Sequence, residues 1–208
     1  MWVAHLLPSC SGVTIGYVTQ YSSGMPVQLH LGCGKRYIPG FVHIDLNDFP
    51  HIDHRSRIDR LPMFGDETVD LIYCCHALQY FDRMEAAEAL GEWRRVLKAG
   101  GILRLAVPDF PALVSVYQKT GALNQILGPL YGRIEIQSPE GPAVIYHRTT
   151  YDYQSLEELC LKAGFRSVRA YDWRQTIHRD HDDFSQAYKP HMDKEHGLLI
   201  SLNLEAVK

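Results

Sequence analysis

The chain has 208 residues, a length that one domain can fill while burying most of its apolar side chains. An apolar share of 46% and a charged share of 22% exclude collagen-like, coiled-coil and intrinsically disordered classes. With a net charge of −3 and a pI near 6.4 there is no broad cationic surface, so a long nucleic acid is not an expected partner.

Residues 1–26 read as an N-terminal extension that precedes a domain over 27–208. They lack a basic leader and are interrupted by Pro8, Gly12 and Gly16, so no secretory signal is expected. No apolar run approaches the ~20 residues needed to cross a bilayer. The five cysteines, Cys10, Cys33, Cys74, Cys75 and Cys160, are scattered and odd in number, which suits reduced thiols in a cytoplasm.

The first strong strand runs Val27 to Leu31 and ends in Gly32-Cys33-Gly34. A second, Phe41 to Asp45, follows the Pro39-Gly40 break, with little room for a helix between them. Val69 to Cys75 is a continuous apolar run behind Gly65-Asp66-Glu67, the pattern of a strand buried on both faces, and it ends at His76. Asp82 and Glu85 form a capping box for a helix that repeats Ala86, Leu90, Trp93 and Leu97, with Arg94, Arg95 and Lys98 toward its C-terminal dipole and Gly100-Gly101 as its stop. Ile102 to Val107 reads as the next buried strand, closed by Pro108-Asp109-Phe110.

Pro111 to Thr150 breaks the rhythm with short helical pieces cut by glycine and proline, and reads as an insertion over a site. Asp152 then caps a helix carrying Leu156, Leu159, Cys160 and Ala163, which Gly164 terminates before a Phe165 to Tyr171 strand. The His- and Asp-rich stretch from Arg174 to Lys194 reads as a solvated loop that helps cover substrate. Ile200, Leu202, Leu204 and Ala206 alternate with Ser201, Asn203 and Glu205, a strand with two distinct faces. Alternating strands and helices predict a doubly wound α/β domain with a mostly parallel sheet.

Such sheets bind ligands beyond the carboxyl ends of their strands. Gly32 and Gly34 let the backbone turn sharply and approach a ligand, and Asp45 is suited to accept both hydroxyls of a ribose. A glycine loop followed by an acid fits any adenosine cofactor. A dinucleotide fingerprint would place a glycine at Tyr37 and an acid about 20 residues on; Asp45 comes sooner and Pro39 interrupts the required helix, which disfavours a nicotinamide enzyme.

Five segments taken together, Leu29-His-Leu-Gly-Cys-Gly34, Phe41-Val-His-Ile-Asp45, Val69-Asp-Leu-Ile-Tyr73, His76-Ala-Leu-Gln-Tyr-Phe81 and Trp93-Arg-Arg-Val-Leu-Lys-Ala-Gly-Gly101, resemble the ordered motifs of class I S-adenosylmethionine-dependent methyltransferases. The resemblance implies a seven-stranded Rossmann-like sheet with a short insertion after the fifth strand, and S-adenosyl-L-methionine as cofactor. It implies that Gly32, Cys33 and Gly34 approach the methionine part, that Asp45 holds the ribose, that Ile58 or Asp59 flanks the adenine, and that His76 and Ala77 line the pocket floor. His30, counted among the cofactor-binding residues, stands where the family usually has an acid, Lys35-Arg36 replaces the third glycine, and Gln79-Tyr80 replaces an acid–histidine pair. The chain is most similar to small bacterial methyltransferases associated with sugar or polysaccharide pathways, in which a histidine, here His147, precedes the late helix and the last strand begins near Ile200 to Asn203.

These features predict methyl transfer to an oxygen, less readily a nitrogen, of a small polar acceptor such as a sugar unit. Alternatives are a natural-product methyltransferase and a nonenzymatic cofactor-binding subunit that partners another methyltransferase. Orientation supplies much of the rate in a displacement from a sulfonium, and an alcohol acceptor gains from a positioned base. His147 and His76 are the candidates, with Asp109 placed to orient substrate or base. Paired histidines at 51 and 54, 178 and 181, and 191 and 196 lack the ligand framework of a metal site, so no metal is expected.

Overall fold

The computed structural model describes residues 24–208, so most of the expected extension, with Cys10, lies outside the described residues. The elements follow as β1 (Gln28–Leu31), β2 (Val42–Asp45), β3 (His54–Arg55), β4 (Val69–Cys75), α1 (Arg83–Val96), β5 (Leu97–Pro108), α2 (Phe110–Thr120), α3 (Asn124–Tyr131), β6 (Ile134–Ser138), β7 (Gly141–Ile145), α4 (Tyr153–Lys162), β8 (Ser167–Ala170), β9 (Tyr188–Lys189), β10 (Leu198–Leu199) and β11 (Ser201–Val207). Seven strands form one sheet in the order β3-β2-β1-β4-β5-β11-β8. The first five are parallel, and β11 runs antiparallel to both β5 and β8. This is the expected doubly wound, mostly parallel Rossmann-like sheet, with its order reversing between β1 and β4.

Local chemistry sets the helix ends. Asp82 accepts from the N–H groups of Met84 and Glu85 while Glu85 returns a bond to the Asp82 N–H, which starts α1 as the sequence predicts. Asp152 and Ser155 do the same for α4. The end of α1 differs from expectation: the helix stops at Val96, and Leu97 already pairs with Val69 as strand. Lys98 does not serve the helix dipole, because its Nζ lies 2.7 Å from Asp70, whose other oxygen accepts the Val27 N–H. A strand buried on both faces needs its edges tied at the start, and this pair ties β4 to β5.

One face of the sheet meets α1 and α4. Leu29, Leu31, Ile72, Cys74, Leu103 and Leu105 pack there with Ala86, Leu90, Trp93, Leu156 and Cys160. The other face carries His30, Tyr73, Arg104, Ser201, Asn203 and Glu205. No helix separates β1 from β2, so this face takes its cover from elsewhere in the chain. The segment at 172–197 supplies it: the Tyr73 hydroxyl donates to Asp183 Oδ2 at 2.5 Å, the His178 ring stacks on Tyr73 at 3.9 Å, and Asn203 Nδ2 donates to the Ser185 carbonyl at 2.9 Å. The expected solvated loop is therefore corrected. Thr176, His178, Ser185 and Gln186 are buried: the Ser185 carbonyl and the His178 ring meet the strands, while Thr176 and Gln186 donate to carbonyls of the segment itself, at Trp173, Arg179 and His181. Within the same layer Glu205 pairs with Arg104 at 2.5 Å and with Arg169 at 3.0 Å.

Pro111 to Thr150 is more ordered than the sequence suggests. After α2 and α3, β6 and β7 form an antiparallel hairpin turning through Ser138 to Gly141. The Gln137 N–H donates to Asn47 Oδ1 at 2.9 Å, and Arg55 donates to the Gln137 carbonyl at 2.7 Å. The segment thus leaves the carboxyl end of β5 and reaches the carboxyl ends of β2 and β3.

Candidate active site

The glycine turn after β1 is built by its backbone. Gly32 and Gly34 have φ of +65° and +55°, a region that side-chain-bearing residues rarely adopt. A Cβ on Gly32 would lie 2.5 Å from the Cβ of Ala77 and 3.5 Å from Ile58 Cδ1, so Gly32, Ile58 and Ala77 meet at one point across three strand ends. A Cβ on Gly34 would meet nothing within 4 Å, which leaves open space on that side of the turn.

Asp45 is buried at the end of β2 and organises this turn. Its Oδ2 accepts the Gly34 N–H at 2.8 Å, and its Oδ1 accepts from the backbone and side chain of Asn47 at 2.8 and 2.9 Å. Burial, with Asp45 nearby, pushes the Cys33 thiol up to about 12, so Cys33 is a protonated packing residue. Asp59 is held by Arg57 at 2.9 and 2.7 Å. Lys35, Arg36, Tyr37 and Ile38 continue the turn and wall a cavity of about 310 Å³ against Asp180 to Asp183. His30 is not brought to the turn. Its side chain faces the opposite layer, stacked on Tyr73 at 5.2 Å, and burial holds its imidazole well below its usual pKa.

The acceptor-side candidates gather at the ends of β4 and β5. His76 adopts φ +51° and its Nε2 lies 3.1 Å from Ser201 Oγ, with the Phe184 ring 5.3 Å away. Burial, with a smaller contribution from His147, pushes its imidazole down to about 3. Asp109 precedes α2, donates its N–H to the Ile200 carbonyl, and has its carboxyl raised by burial.

His147 takes another position from the one its sequence context suggests. Its Nδ1 lies 2.9 Å from the Pro129 carbonyl, which fixes the proton on Nδ1; Gln79 Nε2 then donates to its Nε2 at 3.3 Å. The ring occupies the space that a Cβ on Gly132 would need, and Tyr80 packs edge-on at 4.6 Å while its hydroxyl donates to the Gly132 carbonyl. Gln79 also accepts the Arg148 N–H through its main chain. Gln79 and Tyr80 thus hold the 111–150 segment against the end of β4. The sequence marks them as departures from a motif, with Tyr80 also a candidate for cation–π contact with the sulfonium, and it does not single out Ser201 or Phe184 as neighbours of His76. The polar face of the last strand was the available signal for Ser201.

Among the described residues no group of three or more His, Cys, Asp or Glu is placed to hold a metal, and no helix is long and apolar enough to cross a membrane.

Residues 40–105, from the glycine before β2 to the middle of β5, match the family model described as a methyltransferase domain. No curated protein matches the chain in sequence. Solved structures share the methyltransferase fold at low identity. A protein from Thermotoga maritima, described as an S-adenosylmethionine-dependent methyltransferase, is 16% identical with TM-score 0.52 over 88% of this chain and 83% of that one. One from Methanosarcina mazei is 18% identical with TM-score 0.52 over 87% and 91%. A 1,6-didemethyltoxoflavin-N1-methyltransferase from Burkholderia thailandensis, solved with S-adenosylhomocysteine, is 13% identical with TM-score 0.50 over 89% and 72%.

Proposed function

We propose that this chain is a methyltransferase that takes S-adenosylmethionine as methyl donor and transfers its methyl group to an oxygen of a small polar acceptor. The single observation that carries the cofactor reading is the open glycine turn stitched to a buried acid, with Gly34 donating to Asp45 beside the Ile58–Ala77 contact. The residues fit the group. Gly34 leaves space for the methionine part, Asp45 keeps one lone pair, on Oδ2, for a ribose hydroxyl, and Ile58 and Ala77 supply an apolar wall for the adenine. Bound there, the cofactor supplies an activated methyl group on a sulfonium.

This chain's residues orient the acceptor and exclude water. The 111–150 segment covers the acceptor side, anchored by His147 between Pro129 and Gln79 and by the hairpin's bonds to Asn47 and Arg55. In this reading His147 holds the cover in place, since its one lone pair already receives the Gln79 amide. Asp109 borders the acceptor space from the end of β5. An oxygen acceptor is favoured because the His76 imidazole, kept neutral at working pH by burial, can receive a hydroxyl proton. Two neighbours are described with nitrogen chemistry, one as a possible histamine N-methyltransferase and one acting at a ring N1, so the test spans both elements.

The experiment is transfer of a labelled methyl group from S-adenosylmethionine to a panel of monosaccharides, phenols, primary amines and imidazoles. Label on a hydroxyl-bearing member, lost in Asp45→Ala, is expected. Label confined to amines or imidazoles would overturn the oxygen assignment, and label on no member would count against the whole reading.

A further inference from the structure

The hydrogen-bond donors around His76 can be followed from one end to the other. Asn203 Nδ2 donates to the Ser185 carbonyl at 2.9 Å, which turns the amide so that its Oδ1 is the free acceptor. Ser201 Oγ donates to that Oδ1 at 2.9 Å, and its single proton is thereby committed. The contact of 3.1 Å between Ser201 Oγ and His76 Nε2 therefore has one consistent polarity, with His76 Nε2–H donating to the serine oxygen. A neutral imidazole protonated on Nε2 carries its lone pair on Nδ1. Three residues on two elements, Ser185, Asn203 and Ser201, thus dictate which nitrogen of His76 is bare.

The placement of that nitrogen is as constrained as its protonation. His76 is one of three non-glycine residues with positive φ among those described. Left-handed backbone of this kind at a strand end is a form of strain that persists where the surroundings over-determine it. Its own N–H completes the ladder by donating to the Ala106 carbonyl at 2.8 Å, so the turn is held from the main chain while the ring is held by Ser201 and flanked by Phe184. The next residue, Ala77, abuts Gly32, which places the ring one residue from the turn assigned to the cofactor. His147, the other imidazole here, lacks this freedom, since both of its nitrogens have partners.

We propose that His76 Nδ1 receives the proton of the acceptor hydroxyl during methyl transfer, and that Ser201 and Asn203 are positioning residues that keep that nitrogen unprotonated. The proposal rests on the S-adenosylmethionine reading above. In the step, the acceptor oxygen forms a bond to the methyl carbon as the carbon–sulfur bond breaks, its proton passes to Nδ1, and S-adenosylhomocysteine leaves as a neutral thioether. The positive charge of the sulfonium ends on the imidazolium. An imidazole with a depressed pKa returns that proton to solvent readily, which resets the residue for the next turnover. His147 is the titratable neighbour that acts on His76 electrostatically, and it is neutral in the same pH range.

Nitrogen NMR of the full chain, saturated with S-adenosylhomocysteine and titrated from pH 5 to 8, tests the proton's position directly. The account expects His76 to remain neutral with the proton on Nε2, and expects Ser201→Ala to lose that preference while Ser201→Thr keeps it. With the acceptor found in the labelling panel, His76→Asn is expected to lower kcat by about 10²-fold at saturating S-adenosylmethionine. Ser201→Ala is expected to lower kcat roughly 10-fold and alter its pH profile, with KM for the acceptor little changed and Ser201→Thr restoring the rate. A proton on Nδ1 in the parent protein, or parental kcat in His76→Asn, overturns the proposal even if Ser201→Ala fails to fold. Failure of the parent to bind S-adenosylhomocysteine would instead remove the cofactor reading, leaving the NMR of the unliganded chain to decide the tautomer.

Discussion

Gly32→Ala should abolish detectable binding of S-adenosylhomocysteine and lower the melting temperature by roughly 10 °C. Two penalties combine at this position. A side chain at φ +65° costs about 1–2 kcal/mol, and the new methyl would lie 2.5 Å from the Cβ of Ala77, an atom fixed to the backbone that cannot rotate away. Relieving such an overlap by backbone shift costs a further ~1–3 kcal/mol, and the shift would open the junction of β1, β3 and β4 where the adenine wall is placed. At ~2–4 °C per kcal/mol for a chain of this size, the two together give the stated change. Ala77→Gly in the same chain should recover the part due to overlap, leaving the strain. Gly34→Ala, with similar φ but open space around it, should cost only the strain. Thermal melts and calorimetric titration of the three variants check this. Equal effects of Gly32→Ala and Gly34→Ala would show that the close contact with Ala77 does not shape the turn.

The second large effect is loss of stability in mild acid. Burial holds His178 down to about 3, with Arg104 adding to it, and holds His76 down to about 3 as well; His30 is lowered in the same direction. These imidazoles are neutral in the folded chain, whereas in the unfolded chain they titrate near 6.5. The unfolded state therefore binds more protons between those values, and stability rises with pH across that window. It is fully present above about pH 6.5 and is lost as pH falls toward 3. At pH 4.5 a group shifted that far has lost about 2–3 kcal/mol, so His178 and His76 together remove about 5 kcal/mol, a large share of an ordinary domain's stability. The 172–197 cover carries His178 and should detach first, because its hold on the sheet runs through Tyr73, Asp183 and Asn203. Urea midpoints measured from pH 8 to 4 should fall steadily below pH 6.5, and His178→Phe should flatten the slope by keeping the stack on Tyr73 without a titrating group. An unchanged midpoint between pH 7 and 4.5 would contradict the buried neutral layer.

The elements set by local chemistry were legible in the residues. The capping box at Asp82, the cap at Asp152 and the glycine stop at Gly164 need only neighbours within four positions, and the apolar runs at 69–75 and 102–107 announce strands buried on both faces. What failed to show was set by partners distant in sequence. The 172–197 segment reads as solvated because His, Asp, Ser and Gln are polar, yet Asp183, Ser185 and the His178 ring meet β4 and β11, as when Tyr73 meets Asp183 110 residues away. The end of α1 was misplaced because Leu97 continues the helical period, while its pairing with Val69 decides the matter. The β6–β7 hairpin was hidden by its prolines and glycines, which mark its turn.

For the site, Gly32, Gly34 and Asp45 are read from a glycine turn and a strand end and Ala77 from the resemblance; in the fold Gly34 bonds Asp45 and Gly32 abuts Ala77. His147 illustrates the limit of position alone. Its place before α4 suggests a base, whereas its hydrogen bonds to Pro129 and Gln79 occupy both nitrogens. Ser201 and Asn203 gain meaning only once β11 is seen to run antiparallel beside β5, which sets Ser201 opposite Pro108 and next to His76.

The central claim is that the crevice beyond β1, β2 and β4 holds S-adenosylmethionine through Asp45. A charge-assisted hydrogen bond from a ribose hydroxyl to a buried carboxylate is worth more than a neutral one, and Asp45 also ties Gly34 to Asn47, so its loss should disturb both ligand and turn. Isothermal titration of the parent chain and of Asp45→Ala with S-adenosylhomocysteine, and of the parent with nicotinamide adenine dinucleotide, is the most direct test. The account predicts one molar equivalent of S-adenosylhomocysteine bound by the parent, binding weakened at least ~10²-fold in Asp45→Ala, and no heat from the dinucleotide. Binding of the dinucleotide alone, or equal affinity for S-adenosylhomocysteine in the two chains, would contradict it.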